Sequence, residues 1–371
     1  MASVNIRKAK KTDAKKIREL MHQQAGEQNT ALPPDLSCEG TLYQKIHYNN
    51  EHLSTVQRTN KNEVEGYEAQ DSRRFTLSAV AENGWGSAAV FVAFVAESVG
   101  AKGGELEGYI LAHSAYSTWH GRAMFIKEIY VVPSVRHSGV AVRLCRELLQ
   151  ATLSLGCKRC DVRVDKANKA AVGLFEKLGA QNLTEAEDWH LFLMDSKVIT
   201  EMKTKCEGQG SPQVRPAGPD DMANVMALIQ ELADYEKMPD GPKINAHKLV
   251  TDSSPLDAFF ECFVAESDGA LVGYTILYHT FSCQGRGVYM EDLYVKPTHR
   301  GQGLGTTLMA QVAQCGLTQG ASHLEFCVLS WNTPSIAFYQ QKGAIDVTVG
   351  GGVQVYRFVD SAMRECVQQE L

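Results

Sequence analysis

Y-M-E-D-L-Y-V-K-P-T-H-R-G-Q-G-L-G, from Tyr289 to Gly305, is the stretch that decides how the rest of this chain reads. Residues 287–295 read as a strand that Pro297 stops, because proline lacks the N–H that a ladder needs. A helical pattern then runs over 305–318. The loop R-G-Q-G-L-G, Arg300 to Gly305, therefore joins a strand to a helix. Its backbone N–H groups and the helix N-terminus can cradle a pyrophosphate, and glycine lets the backbone approach closely. Taken alone, such a loop is equally plain turn chemistry, and the dinucleotide fingerprint with a downstream ribose-binding acid is absent.

The same pattern occurs earlier as F-I-K-E-I-Y-V-V-P-S-V-R-H-S-G-V-A, Phe125 to Ala141. Arg136 and Arg300 are 164 residues apart, and the same offset pairs Asn168 with Asn332, Phe175 with Tyr339, and Gly179-Ala180 with Gly343-Ala344. The repeat starts, Ile6-Arg7 and Val214-Arg215, are offset by 208, so the first copy is longer by 44 residues (208 less 164). The excess falls at about 42–87, a polar stretch of weak periodicity that reads as a surface insertion. A chain of 371 residues suits two cores. The expected organisation is a first domain over 1–200, a Gly- and Pro-punctuated linker over 201–213, and a second domain over 214–371.

In the second copy, Val225, Leu228, Ile229 and Leu232 recur at helical spacing within 221–236. Residues 260–265 and 270–278 read as strands joined by the turn Ser267-Asp268-Gly269. Beyond the loop helix come a strand at 323–329, a helix at 334–342 and a last strand at 353–359. The fold class is α/β (α+β): in each copy a mixed, mainly antiparallel sheet flanked by helices.

A net charge of −6 supplies no broad positive field, which argues against nucleic acid or an anionic membrane as partner and permits a small cationic substrate. The N-terminus lacks the apolar stretch of a signal peptide, and no run has the length of a membrane span, so a cytoplasmic protein is expected. Ten cysteines are scattered, and the Cys157–Cys160 CxxC has no second pair. Reduced thiols are expected, with no metal site.

The order E-D-L-Y-V-x-P-x-x-R-G-x-G-x-G, then W-N-x-P-S-x-x-F-Y-x-x-x-G-A, resembles the GNAT superfamily of acetyl-CoA transferases. Both copies resemble its diamine acetyltransferase family, to which spermidine/spermine N1-acetyltransferase and thialysine N-epsilon-acetyltransferase belong. E-L-A-D-Y-E-K-M (Glu231 to Met238) and S-W-N-T-P-S-I-A-F-Y (Ser330 to Tyr339) carry this in the second copy. Y-S-T-W-H-G-R (Tyr116 to Arg122) and G-A-Q-N-L-T-E-A-E-D-W-H (Gly179 to His190) carry it in the first, toward the thialysine type. The resemblance implies tandem GNAT domains, acetyl-CoA as co-substrate and a small-molecule amine as acceptor.

Amine acetylation needs a group to take the amine proton, donors for the oxyanion and an acid for the leaving thiolate. The resemblance puts Tyr339 at the position that protonates the coenzyme A thiolate and Glu291 at the carboxylate that helps deprotonate the amine, with Asp292 in support. It assigns Leu293, Tyr294 and Val295 to the acetyl carbonyl and pantetheine arm. The loop Arg300, Gly301, Gln302, Gly303, Leu304, Gly305 and Thr306 would hold the pyrophosphate, and Asn332, Thr333, Pro334 and Ser335 would hold the cofactor from the facing helix.

At the matching positions the first copy has Lys127 for Glu291 and Phe175 for Tyr339, which implies a poor catalyst or none. Its loop still fits R-x-x-G-x-A, leaving acetyl-CoA binding there open. The family's amine pocket is divided: the second copy keeps Tyr235 and Glu236 but has Cys283, Gly351 and Val353 where the family has a Trp, a Glu and a Trp. The first copy keeps Trp119, Glu187 and Trp189 but has Glu27 and Gln28 on its first helix. This implies an intramolecular pseudo-dimer with one composite site, against which stands plain core packing of the two tryptophans. Phe281 and Ser117 replace a hairpin Asp of the spermidine/spermine enzymes, which favours a thialysine-like or other small ω-amine over a polyamine. Two readings from other classes stay open, a non-catalytic acyl-CoA or amine sensor and a protein N-acetyltransferase; intact Glu291, Tyr339 and loop argue for turnover.

Overall fold

The computed structural model describes residues 3–27, 91–99, 104–206, 213–238, 240–254, 258–282 and 285–369. The expected insertion at 42–87, Gln28, Cys283 and residues 207–212 of the expected linker lie outside them, while 201–206 of that linker complete the helix Ser196–Cys206. In the first repeat the strands are β1 (Ser3–Lys8), β2 (Val92–Val99), β3 (Leu106–Ser117), β4 (Gly121–Val131), β5 (Arg159–Asp165), β6 (Gln181–Asn182) and β7 (Trp189–Asp195). In the second they are β8 (Gln213–Pro216), β9 (Glu261–Ser267), β10 (Ala270–Ser282), β11 (Gly285–Val295), β12 (His323–Leu329), β13 (Ile345–Asp346) and β14 (Val353–Val359). The β9–β10 turn has Asp268 and Gly269 at φ 51° and 76°, the two positive values that a tight hairpin of right-handed twist requires. No helix among the described residues is long and apolar enough to cross a membrane.

There are two seven-stranded sheets, and each contains one strand of the other repeat. The first runs β1-β2-β3-β4-β5-β14-β6 and the second β13-β7-β12-β11-β10-β9-β8. β14 pairs antiparallel with β5 from Val353↔Asp165 to Val359↔Arg159, and β7 pairs with β12 from His323↔Asp195 to Leu329↔Trp189. The boundaries at 200 and 214 thus delimit repeats of sequence, while each sheet draws on both. The exchanged strands carry core side chains with them. Phe358 meets Phe175 edge-on at 6.3 Å, and Phe192 stacks on Phe326 at 5.7 Å. All four are essentially fully buried, each contributing about 2–3 kcal/mol of transfer free energy. The Tyr116 and Phe260 rings, 4.3 Å apart, continue one apolar cluster across the two repeats.

Two local irregularities shape the site. In the β10–β11 ladder, Ile276 faces Asp292 and Leu277 faces Met290, so Glu291 is the extra residue of a β-bulge. The β3–β4 ladder skips Lys127 in the same way. The two parallel pairings are short: β11 meets β12 only at Val288↔Leu324 and Tyr289↔Glu325. Beyond Tyr289 the strands diverge, and the gap opens between Met290–Val295 and Phe326–Val328.

Candidate active site

The loop after β11 is built from its own backbone geometry. A 3-10 turn over Pro297–His299 leads to Arg300, whose Nε donates to the Val295 carbonyl at 2.8 Å and closes the loop. Gly301 and Gly303 take φ 77° and 86°, and Gly303 caps the helix Leu304–Thr318. The left-handed backbone aims successive N–H groups to one side, and no atom would stand within 4 Å of a Cβ at either glycine. Loop, gap and helix N-terminus open on one side, the arrangement in which backbone N–H groups can receive an anion.

The gap between β11 and β12 is part of a cavity of about 830 Å³. Of the residues the sequence assigned to the cofactor, Leu293, Tyr294, Val295, Arg300, Gly301, Gly303, Leu304, Gly305, Thr306, Asn332, Pro334 and Ser335 line it. Gln302 and Thr333 do not. The Asn332 side chain caps the helix Thr333–Gln341 by accepting from the Ser335 N–H, and it accepts the Tyr235 hydroxyl at 3.1 Å. Tyr235 also packs against the Arg300 guanidinium at 5.3 Å, so this candidate for the amine pocket sits among the loop residues.

Glu236, Glu291, Asp292 and Tyr339 line the same cavity, and so do Trp119, Glu187 and Trp189 of the first repeat. The strand exchange explains this meeting. β7 brings Trp189 opposite Leu329, next to the helix that carries Tyr339, and the Trp189 Nε1–H donates to Glu187 at 2.9 Å. Trp119, in the β3–β4 hairpin, accepts the Lys243 N–H at its carbonyl at 2.8 Å. Both tryptophans face the cavity, and neither is among the buried core side chains. By the same exchange, Val353 stands opposite Asp165 in the first sheet, so the residues that seemed lost from the second pocket lie beside the other repeat.

Three of the cavity's acids act on one another. Burial pushes the Glu291 carboxyl up to about 7, Arg159 opposing and Asp292 adding to the rise. Glu236 is raised to about 8 by burial and then by Asp292 and Glu291. Burial lifts Asp292 to about 6, against the Tyr274 hydroxyl, which donates to it at 2.7 Å. The Tyr339 ring packs on Phe326 at 4.3 Å, and burial with nearby Glu236 and Asp292 raises its hydroxyl well above the ordinary value. Such a tyrosine stays protonated near neutrality, and an acid near 7 is poised to exchange a proton there.

The sequence profile of the acetyltransferase (GNAT) family matches residues 60–180 and 228–344, well over half of the chain. This chain belongs to the GNAT acetyltransferase family. It is 40% identical over 161 residues to the thialysine N-epsilon-acetyltransferase of Bos taurus, a match covering 41% of this chain and 95% of that protein. To the spermidine/spermine N(1)-acetyltransferase-like protein 1 of Homo sapiens it is 32% identical over 154 residues, 39% of this chain and 22% of that one. Among solved structures, a tandem GNAT protein from the clavulanic acid biosynthesis pathway superposes with a TM-score of 0.45 at 14% identity, covering 96% of this chain and 99% of that one.

The two GNAT repeats differ where the chemistry would lie. At the bulge of the first, Lys127 pairs with Glu325 at 3.8 Å, and Arg163 holds the same carboxylate at 2.8 Å. Against the cost of burial, Arg163 and then Lys127 keep Glu325 far below the usual carboxylate range. Phe175, at the Tyr339 position, is buried at 1% exposure against Phe358. The first loop repeats the architecture, with Arg136 Nε on the Val131 carbonyl at 2.8 Å and Gly139 at φ 82°. There, however, His137 takes φ 60° where the second loop has Gly301, a conformation that costs a side chain energy.

Sequence reasoning overlooked the charged wall that faces Glu291. Arg159, Asp161, Arg163 and Arg357 line the cavity, yet none belongs to a motif. Ser117, noted only for an absent Asp, accepts a hydrogen bond from Arg159 Nη1 at 2.8 Å, and Phe281 is buried against Phe91.

Proposed function

We propose that this GNAT protein acetylates the primary amine of a small cationic substrate, using acetyl-CoA, in one composite site. The observation that carries the reading is the single cavity in which Glu236, Glu291, Asp292 and Tyr339 of the second repeat meet Trp119, Glu187 and Trp189 of the first. Acids beside tryptophan faces suit an ammonium group, by charge and by cation–π attraction. The loop Arg300–Gly305 takes the pyrophosphate, and the β11 edge at Leu293–Val295 takes the acetyl and pantetheine part. Glu291 accepts the proton of the bound ammonium, directly or through water. The freed nitrogen attacks the thioester carbon; as the C–S bond breaks Tyr339 gives its proton to the sulfur, and the extra proton on the new amide nitrogen leaves to restore the tyrosine. The two repeats act as a covalent pseudo-dimer in which the first supplies amine contacts and the second the proton transfers.

The acceptor is a thialysine-like or other short ω-amine rather than a polyamine. A polyamine needs free carboxylates along its whole length, whereas the wall beyond Glu291 carries Arg159, Arg163 and Arg357, with its one acid, Asp161, already paired to two of them. A thiol-release assay with acetyl-CoA and a panel of thialysine, diamines, polyamines and short peptides tests the reading. Turnover of a short ω-amine in preference to spermidine is expected. Acetyl-CoA binding with no amine acetylated would make the protein a sensor.

A further inference from the structure

Glu291 occupies a bulge, where a strand has one residue more than its partner and the ladder no longer dictates side-chain direction. Something else must aim its carboxylate. The nearest cation is Arg159 of β5, in the other repeat, whose Nη2 lies 3.5 Å from Glu291 Oε1. Its other two nitrogens face groups of the first repeat. Nη1 donates to the Ser117 hydroxyl at 2.8 Å, and Nε is ion-paired with Asp161 at 3.2 Å. Asp161 is itself gripped by Arg357, whose Nε and Nη2 donate to it at 2.9 and 3.3 Å. Arg357 reaches Asp161 because β14 inserts beside β5 with these two residues in register. A chain of alternating charge, buried at Asp161 and Arg159 and half-buried at its ends, therefore runs from the second repeat through the first and back: Arg357, Asp161, Arg159, Glu291.

Building on the functional reading above, we infer that Arg159 is a positioning residue of the active site, orienting Glu291 and favouring its ionised form from across the repeat boundary. The other groups facing Glu291 cannot take that part. Asp161 of β5, Asp292 of β11 and Glu236 at the end of the helix Met222–Tyr235 are anions, and Tyr116, Tyr278 and Tyr289 are held neutral by burial. The other cations of this wall are engaged elsewhere: Arg357 is spent on Asp161, and Arg163 is held by Glu325 at 2.8 Å. The first repeat would then contribute to proton transfer as well as to amine binding, although its own Lys127 and Phe175 cannot perform it.

The experiment uses the full-length protein with Arg159→Met, Arg159→Lys and Asp161→Asn. Two readouts are taken, the pH profile of kcat/KM for the best amine and the 13C titration of the Glu291 carboxyl without substrate, assigned by its loss in Glu291→Gln. Arg159→Met is expected to move the acidic limb and the Glu291 titration upward by about one pH unit, with Arg159→Lys recovering much of the shift. Asp161→Asn is expected to move both the other way, because it removes a nearby anion and leaves more of the Arg159 charge for Glu291. These opposite shifts separate an electrostatic role from damage to packing, and Arg159→Lys with Asp161→Asn suffices if Arg159→Met does not fold. Unchanged limbs and titrations, or shifts in a common direction, would overturn the inference. If the wild-type protein turns over no amine, the functional reading fails, while the carboxyl titration still decides whether Arg159 controls Glu291.

Discussion

Trp189 of the first repeat stands opposite Leu329 of the second in the antiparallel ladder between β7 and β12. This pairing places the Trp189–Glu187 hydrogen bond at the edge of a cavity whose proposed proton-handling groups, Glu291 and Tyr339, belong to the other repeat. Trp189→Ala and Glu187→Ala should each raise KM for the amine about tenfold, the worth of a partly desolvated cation–π or ionic contact, with kcat changed far less. Steady-state kinetics on the preferred amine checks this. An unchanged KM would mean that the first repeat contributes scaffold alone.

Tyr339→Phe should lower kcat about a hundredfold or more, the usual contribution of a positioned general acid, with acetyl-CoA affinity little altered. The ring packing on Phe326 is kept, so thermal stability should hold. The reciprocal Phe175→Tyr should add no measurable turnover, because Lys127, tied to Glu325, still occupies the base position there. A fully active Tyr339→Phe enzyme would remove the assignment.

With Glu291 titrating at about 7, kcat/KM should climb with pH through that value. The base works only when ionised, so activity two pH units below should be about a hundredfold under the plateau. Glu291→Gln should abolish that limb together with most of the activity. If the limb persists in the variant, the ionisation belongs to another group.

Stability should follow Glu236 with the opposite trend. Its carboxyl is raised to about 8 in the fold, so the folded state binds the proton more tightly than the unfolded chain. That stabilisation is complete below the ordinary carboxylate range and is lost as pH rises toward 8. Glu236→Gln, always neutral, should match wild type near pH 4.5 and be more stable by several kcal/mol, at most about 5, at pH 9, measured by urea unfolding. Equal destabilisation at both pH values would contradict the buried, proton-binding state of Glu236.

Gly303 and Gly139 offer a matched pair. Both cap a loop helix at positive φ with open space around the missing Cβ, so alanine at either should cost about 1 kcal/mol in backbone strain. Acetyl-CoA affinity, measured by calorimetry, should fall with Gly303→Ala and stay unchanged with Gly139→Ala. An equal loss from both would show that the two loops bind alike.

The chain's own residues determined the duplication, the strand-to-helix loops and the order of elements, because these depend on local chemistry. Proline ends a strand, glycine admits positive φ, and the offset of 164 residues persists without gaps. Strands 323–329 and 353–359 have the bounds expected from sequence, and the helices near 304, 222 and 333 begin within a residue of expectation. Lys127 and Phe175 already marked the first repeat as chemically different. What only the tertiary structure decided is which sheet receives β7 and β14. A strand's alternation states that one face is buried, not against which partner, and both repeats offer equivalent slots. That choice carries Trp189 and Glu187 to the cavity of Glu291 and takes Val353 away from it. The relay from Arg357 to Glu291 was illegible for the same reason: its charges are far apart in the chain, and burial and register alone bring them together.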